Sequence, residues 1–329
     1  MKVCVAILKC VNMRNWLCHL KSTMSTLANT EKNITIKAQW GQIAAITWGN
    51  SSNPAVLLCP GRMVPCSSFR PLIKQMPDCF FYVAIDLPGN GLSDHLPPGI
   101  RYTVLDLVPS IVKVVEHFKW EKVMFIGHSL GTVIGTYFNM AYPNRVTRFV
   151  QLDPIPLYHT VIPETFEAWY QEYYRSNYDH DQYLKHTSGR HTAPRYSLDD
   201  IKRRLMTAHK INEETLDHVL DRYIEPAGDG LYRFTYDQRM KNTTTMPFSP
   251  DNLKLFLTSS KIPTLAIFAK FVIDAGAYSK VPFAFDTKAW PHGNYGYKIV
   301  SGYHDVHMSN PELMADDIAN FLLQSKAKL

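Results

Sequence analysis

The sequence predicts an α/β fold: a mostly parallel central sheet flanked by helices, with a mainly helical cap inserted after the sixth strand. Three observations predict it. Short apolar runs end abruptly at Gly, Pro or Asp, as strands buried on both faces of a parallel sheet do. Between them, apolar residues recur at three- and four-residue steps, the mark of a helix with one buried face. The alternation stops near Pro156 and resumes after about Ser249.

Each element follows in order. Residues 34–40 and 42–48 read as two strands turning at Gly41. Asn50-Ser51-Ser52-Asn53-Pro54 is a loop by composition. Residues 55–59 form an apolar run ending at Pro60-Gly61, and 80–85 a second ending at Asp86. Residues 122–126 end at Gly127, and 146–152 end at Asp153-Pro154. Leu105, Val108, Ile111, Val112, Val115 and Phe118 are spaced as the inward face of a helix. Across 156–250 tyrosines and charges are dense. Ser197-Leu198-Asp199-Asp200 and Asn212-Glu213-Glu214 read as helix starts there, and 231–236 as a strand. Residues 264–268 and 297–300 are again strand-like. Pro311 is expected to open a last helix with Leu313, Ile318, Phe321 and Leu322 inward. The division is a leader over 1–30, a first core part over 31–155, a cap over 156–250 and a second core part over 251–329.

Bulk properties narrow the function. With 329 residues, 46% of them hydrophobic, the chain can bury its own core without a metal or disulfide staple. The net charge of +6 is not gathered into one basic block, which argues against nucleic acid as the main partner. Cys4, Cys10, Cys18, Cys59, Cys66 and Cys79 show no metal-binding spacing, so no metal is expected, and they read as thiols in a reducing compartment. No apolar run reaches the ~18 residues of a transmembrane segment. Residues 1–30 are basic and free of acids, as in a mitochondrial transit peptide, whereas Ala327-Lys328-Leu329 is a conservative variant of the peroxisomal address. The peroxisome is the preferred expectation, with mitochondrion or cytoplasm as the alternatives. Nothing in the pattern sets an oligomeric state.

The chemistry centres on Gly127-His128-Ser129-Leu130-Gly131, which follows a strand and precedes the helix-like 132–142. This is G-x-S-x-G in the context it requires: the serine sits on a tight strand-to-helix turn that larger flanking residues would block. In such folds, the α/β hydrolases, the chain order is Ser, acid, His. His304 stands at the end of the last strand and is preferred as base over His307. Two acids fit: Asp153 ends the strand after the nucleophile's, and Asp274 follows the strand 264–268, the commoner position. An oxyanion hole needs two backbone N–H groups. Leu130 is expected to give one and Arg62 or Met63 the other, since Pro60 has no N–H. Asp86-Leu87-Pro88-Gly89-Asn90-Gly91-Leu92-Ser93 lacks a phosphate-loop lysine and reads as structural.

With these residues in hand, the chain resembles the serine hydrolase-like (kraken-type) family of α/β hydrolases from about residue 34 to residue 323. The marks are Trp40-Gly41-Gln42-Ile43-Ala44-Ala45, the Asp86 to Ser93 turn, Phe118-Lys119-Trp120 and the serine motif. Asp237-Gln238-Arg239 and His304-Asp305-Val306-His307-Met308-Ser309-Asn310-Pro311 complete them. The resemblance implies Ser129 as nucleophile, His304 as base and a helical cap, and leaves the acid open. The chain departs from it at Pro60-Gly61, where His-Gly is usual, and at Arg62, where an aromatic is usual. This implies a differently shaped oxyanion loop. The expected activity is hydrolysis of a small-molecule carboxylic ester or thioester through an acyl-enzyme, with no cofactor. Phe166, Trp169, Tyr170, Tyr173, Tyr174, Tyr178 and Tyr183 in the cap would suit an apolar acyl or aromatic group. The rival reading is a catalytically silent binding protein. Epoxide or haloalkane hydrolysis usually needs aspartate as nucleophile, and Ser129 argues against it.

Overall fold

The computed structural model describes residues 27–175, 178–187 and 189–324. Nearly all of the basic leader, and Ala327-Lys328-Leu329, lie outside them. Strand β1 (Lys32–Ala38) pairs antiparallel with β2 (Gly41–Trp48), Ile34 opposite Ala45. Gly41 turns the chain at φ 144°, and a Cβ there would meet the Asp94 carboxylate at 2.4 Å. β3 (Ala55–Cys59), β4 (Phe81–Ile85) and β5 (Val123–His128) are buried throughout, as expected of strands covered on both faces. β6 (Val146–Leu152) follows, then a short hairpin of β7 (Ile224–Pro226) and β8 (Tyr232–Phe234) within the insertion. β9 (Thr264–Ala269) and β10 (Tyr295–Val300) complete the main sheet, ordered β1-β2-β4-β3-β5-β6-β9-β10. Beyond β4 every pairing in it is parallel.

Helices cover both faces. On one lie α1 (Val104–His117) and α2 (Leu130–Ala141), packed on Leu57, Val83 and Phe125. Thr103 and Asp106 close a capping box at the start of α1, each side chain accepting from the other's backbone N–H at 3.2 Å. Val104, Leu107, Val108, Ile111, Val114 and Val115 face inward, whereas Leu105, expected in the core, is 54% exposed. On the other face the last helix packs Ile318, Phe321 and Leu322 against Val56, Leu58 and Tyr82. It begins at Ala315, not Pro311, because Pro311–Leu313 forms a separate tight turn. Each such fully buried side chain contributes ~1.5–3 kcal/mol.

Between β6 and β9 the chain forms the insertion. It holds α3 (Pro163–Tyr170), α4 (His180–Thr187) and α5 (Leu198–His209) before the hairpin; α6 (Pro250–Thr258), after it, packs Leu253 and Leu257 into the core of the main sheet. The last helix among the described residues is α7 (Ala315–Leu323). Ser197 caps α5 by accepting from the Asp200 N–H, as the sequence pattern predicts. Ile201, Leu205, Leu216, Val219 and Tyr223 form a small core of their own that is continuous with Val64 and Met308 of the sheet loops. Buried ions tie the two together. Arg222 pairs with the fully buried Asp86, whose carboxylate also accepts from the Cys66 and Leu92 N–H groups at 2.7 and 2.9 Å. Arg239 pairs with Asp237 at 2.7 Å and donates to the carbonyls of Pro97 and Ile100 at 2.8 and 2.7 Å. The Asp86 to Ser93 turn and Asp237-Gln238-Arg239 are thus structural devices that dock the insertion.

Candidate active site

The strand order reverses direction between β3 and β5: β3 leads outward to β4, and β5 leads the other way to β6. Loops leaving these two carboxyl ends part from one another and open a crevice, the usual ligand position in such sheets. Ser129 and the Pro60–Met63 segment occupy it.

Ser129 joins β5 to α2 with φ 50° and ψ −116°, a conformation costing ~1–3 kcal/mol in a non-glycine residue. Its N–H donates to the Leu152 carbonyl at 3.0 Å. The two motif glycines make the turn fit. A Cβ on Gly127 would lie 2.7 Å from the Gly131 backbone, and one on Gly131 would lie 2.1 Å from the Cys59 carbonyl oxygen. The β3 loop presses as closely, since a Cβ on Gly61 would fall 3.2 Å from that of Ser129.

Ser129 and His304 line one cavity of about 280 Å³, together with Arg62, Leu130, Tyr173 and Thr245. It adjoins a second of about 340 Å³ that shares His159, Tyr173 and Ala277. His304 leaves the end of β10, and its Nδ1 donates to Asp153 Oδ2 at 2.6 Å. The other oxygen of Asp153 accepts from the Ala269 N–H at 3.2 Å and the Tyr278 hydroxyl at 3.0 Å. The Asp153 side chain is 1% exposed, so its charge is compensated by three donors. Burial would lower the His304 pKa, but the bond to Asp153 and the charges of Asp305 and Asp153 outweigh it and hold the imidazole above its ordinary value.

A second shelf of histidines supports the loop. His128, fully buried, donates from Nε2 to the His304 carbonyl at 3.2 Å. Asp305 accepts from His209, the last residue of α5, at 2.9 Å. Burial would raise the Asp305 carboxyl, yet its bond to His209 and the charges of His209, His128 and His304 bring it down to about 2. His307 is completely buried, and burial lowers its pKa to about 3.

Over 302 residues the chain is 30% identical to the human serine hydrolase-like protein 2, covering 88% of this chain and 93% of that one. The chain belongs to the serine hydrolase-like family. A zebrafish serine hydrolase-like protein is 27% identical over 307 residues, 91% of each chain. The model of the alpha/beta hydrolase fold matches residues 54–202. Among solved structures, the thioesterase domain from the curacin biosynthetic pathway superposes with a TM-score of 0.69 at 18% identity, covering 88% of this chain and 98% of that one. No helix among the described residues is long and apolar enough to cross a membrane.

In this member of the serine hydrolase-like family, the sequence candidates separate cleanly. Ser129, His304 and Asp153 converge; Asp274 does not. It closes the helical turn Lys270–Asp274 with its side chain 57% exposed, bound to Lys270 Nζ at 2.7 and 2.9 Å. Of the two acids the sequence offers, the structure brings Asp153 to His304 and leaves Asp274 with Lys270. Leu130 and Arg62 line the cavity, and Leu130, as the first helical residue, has no intrahelical acceptor for its N–H. Met63, at φ 60°, packs toward the core instead. The Arg62 side chain reaches across to the insertion and donates to the Lys241 carbonyl at 2.7 Å. The cap aromatics are mostly turned away: Phe166, Tyr170, Tyr178 and Tyr183 are exposed, whereas Tyr173 reaches the serine's cavity and Trp169 the adjoining one. Tyr278 and His209 carried no sequence signal. His128 did, inside the motif itself.

Proposed function

We propose that the protein hydrolyses a carboxylic ester or thioester through an acyl-enzyme on Ser129. The observation that carries this reading is the 2.6 Å bond between Asp153 and His304, in a cavity that His304 shares with Ser129. With Nδ1–H committed to Asp153, the neutral imidazole presents Nε2 as a base. Nε2 takes the Ser129 proton as Oγ bonds to the acyl carbon, and the carbonyl electron pair moves onto oxygen. The Leu130 N–H and the Arg62 or Met63 N–H receive that oxyanion. The carbonyl re-forms, the bond to the alcohol or thiol breaks, and His304 returns the proton to the leaving group. Water, deprotonated by the same nitrogen, then attacks the acyl-enzyme and releases the acid.

The test pairs fluorophosphonate labelling with hydrolysis of p-nitrophenyl esters and acyl-CoA thioesters of graded chain length. Labelling and turnover in the wild type, with kcat reduced ~10⁴–10⁶-fold and labelling abolished in Ser129→Ala, is the expected result. Folded wild-type protein that neither labels nor turns over any of these substrates would instead be a silent binding protein.

A further inference from the structure

We infer that His128, Asp305 and His307 form a binding site for one divalent transition-metal ion of the zinc class, directly behind the His304 loop. One ring nitrogen of each histidine and one oxygen of Asp305 lie within 4.8 Å of one another, and all three residues are buried. His128 Nε2 stands 3.6 Å from Asp305 Oδ1, close to the ~3.4 Å edge of a tetrahedron with ~2.0–2.1 Å metal–ligand bonds. The two imidazole rings are 4.1 Å apart between centroids and tilted by 41°.

The second observation is that His307 and the Asp305 oxygen facing His128 are unspent. His128 Nδ1, both ring nitrogens of His307 and Asp305 Oδ1 are buried without a hydrogen-bond partner among the described residues. A buried polar atom left so costs ~1–3 kcal/mol, and the fully buried His307 has no partner on either ring nitrogen. Neutral imidazoles and an ionised carboxylate are the protonation states that a metal requires. Two nitrogens and one oxygen suit Zn²⁺, Co²⁺ or Ni²⁺ rather than the oxygen-loving Mg²⁺ or Ca²⁺. The remaining oxygen of Asp305 is held by His209 at 2.9 Å, the kind of outer hydrogen bond that orients a ligating carboxylate.

Occupancy would oppose catalysis. The His128 nitrogen nearest Asp305 is Nε2, the same atom that donates to the His304 carbonyl. A metal takes its lone pair, the ring proton shifts to Nδ1, and the carbonyl that steadies the base loses its donor. The site is thus inhibitory, not a cofactor site.

The experiment is titration of Co²⁺ into the chelator-treated full chain, followed by its visible ligand-field band. One Co²⁺ per chain, displaced by Zn²⁺, is expected. His307→Gln and Asp305→Asn should each weaken binding by more than the ~10–100-fold that loss of a supporting hydrogen bond costs a metal site. Zn²⁺ should also slow ester turnover in the wild type but not in folded His307→Gln. No band, or one unchanged in both variants, would assign the four atoms to buried water and overturn the inference. If the variants do not fold, X-ray absorption of the Zn²⁺-loaded wild type decides, two imidazole ligands supporting the site and none refuting it. The spectroscopic result stands whether or not the protein hydrolyses esters.

Discussion

Asp153 and Asp274 follow neighbouring parallel strands, β6 and β9, yet only Asp153 reaches His304. Asp153 comes immediately after Leu152 with φ 39°, and its N–H donates to the Ile267 carbonyl of β9 at 2.7 Å. Its side chain is thereby held against the adjacent strand end, where Ala269 and Tyr278 fix one oxygen and leave the other for His304. Asp274 lies five residues beyond Ala269, at the close of a helical turn that has carried it into solvent. An exposed i,i+4 pair such as Lys270–Asp274 is worth ~0.3–0.5 kcal/mol and orients nothing else. Closeness to a strand end in sequence is a weak guide to an acid's role. The number of buried donors that immobilise it is a strong one.

The sharpest way to break this contrast is Asp153→Asn. The amide can donate to Nδ1 and thereby force the imidazole proton onto Nε2, which then cannot accept from Ser129. A loss of ~10⁴-fold in kcat is expected, with the fold intact by circular dichroism. The pH profile gives a second readout. His304 must be neutral to act as base, so the rate falls as pH drops through its raised pKa. Asp153→Asn removes both a bond and a charge that raise that pKa while burial, which lowers it, remains. The acid limb should move to lower pH. An unmoved limb and a kcat within tenfold of wild type would return the acid's role to another residue.

Much of this was legible in the sequence, and the part that was not has a physical reason. Strands β3 to β5 announce themselves because a run buried on both faces must be apolar. The turn at Ser129 announces itself because two glycines meet backbone atoms at distances no Cβ tolerates. Leu105 was misplaced because the three- and four-residue repeat was extended one step too far toward the helix start, where Val104 and not Leu105 faces inward. The acid was illegible for a different reason. Asp153 is fixed by Ala269 and Tyr278, 116 and 125 residues along the chain, and no local pattern encodes either contact. His307 looked like a mere neighbour of His304 because burial without partners leaves no trace in sequence.

Tyr278→Phe sharpens the contrast from the side of the donors. It removes one of the three bonds to the Asp153 carboxylate and nothing else of that ring's packing against Tyr158 and Phe268. A hydrogen bond to a charged group is worth ~1.5–3 kcal/mol, part of which relaxation recovers. Urea unfolding should show a loss of ~1–2 kcal/mol, and kcat should fall by up to about tenfold, far less than with Asp153→Asn.

Asp274→Asn is the smallest effect expected, and it is the control on which the comparison turns. The substitution keeps the volume, removes the charge and releases Lys270 into water that already reaches both side chains. Stability should change by less than ~0.5 kcal/mol, the range of surface substitutions away from special features. The ester-hydrolysis kcat should stay within twofold of wild type, and the acid limb of the pH profile should not move, because Asp274 bonds to Lys270 while the charges that act on His304 are those of Asp305, Asp153 and Arg62. A drop in kcat that approaches the Asp153→Asn value would mean that the Lys270–Asp274 turn swings inward during turnover, and the strand-end argument would fail with it.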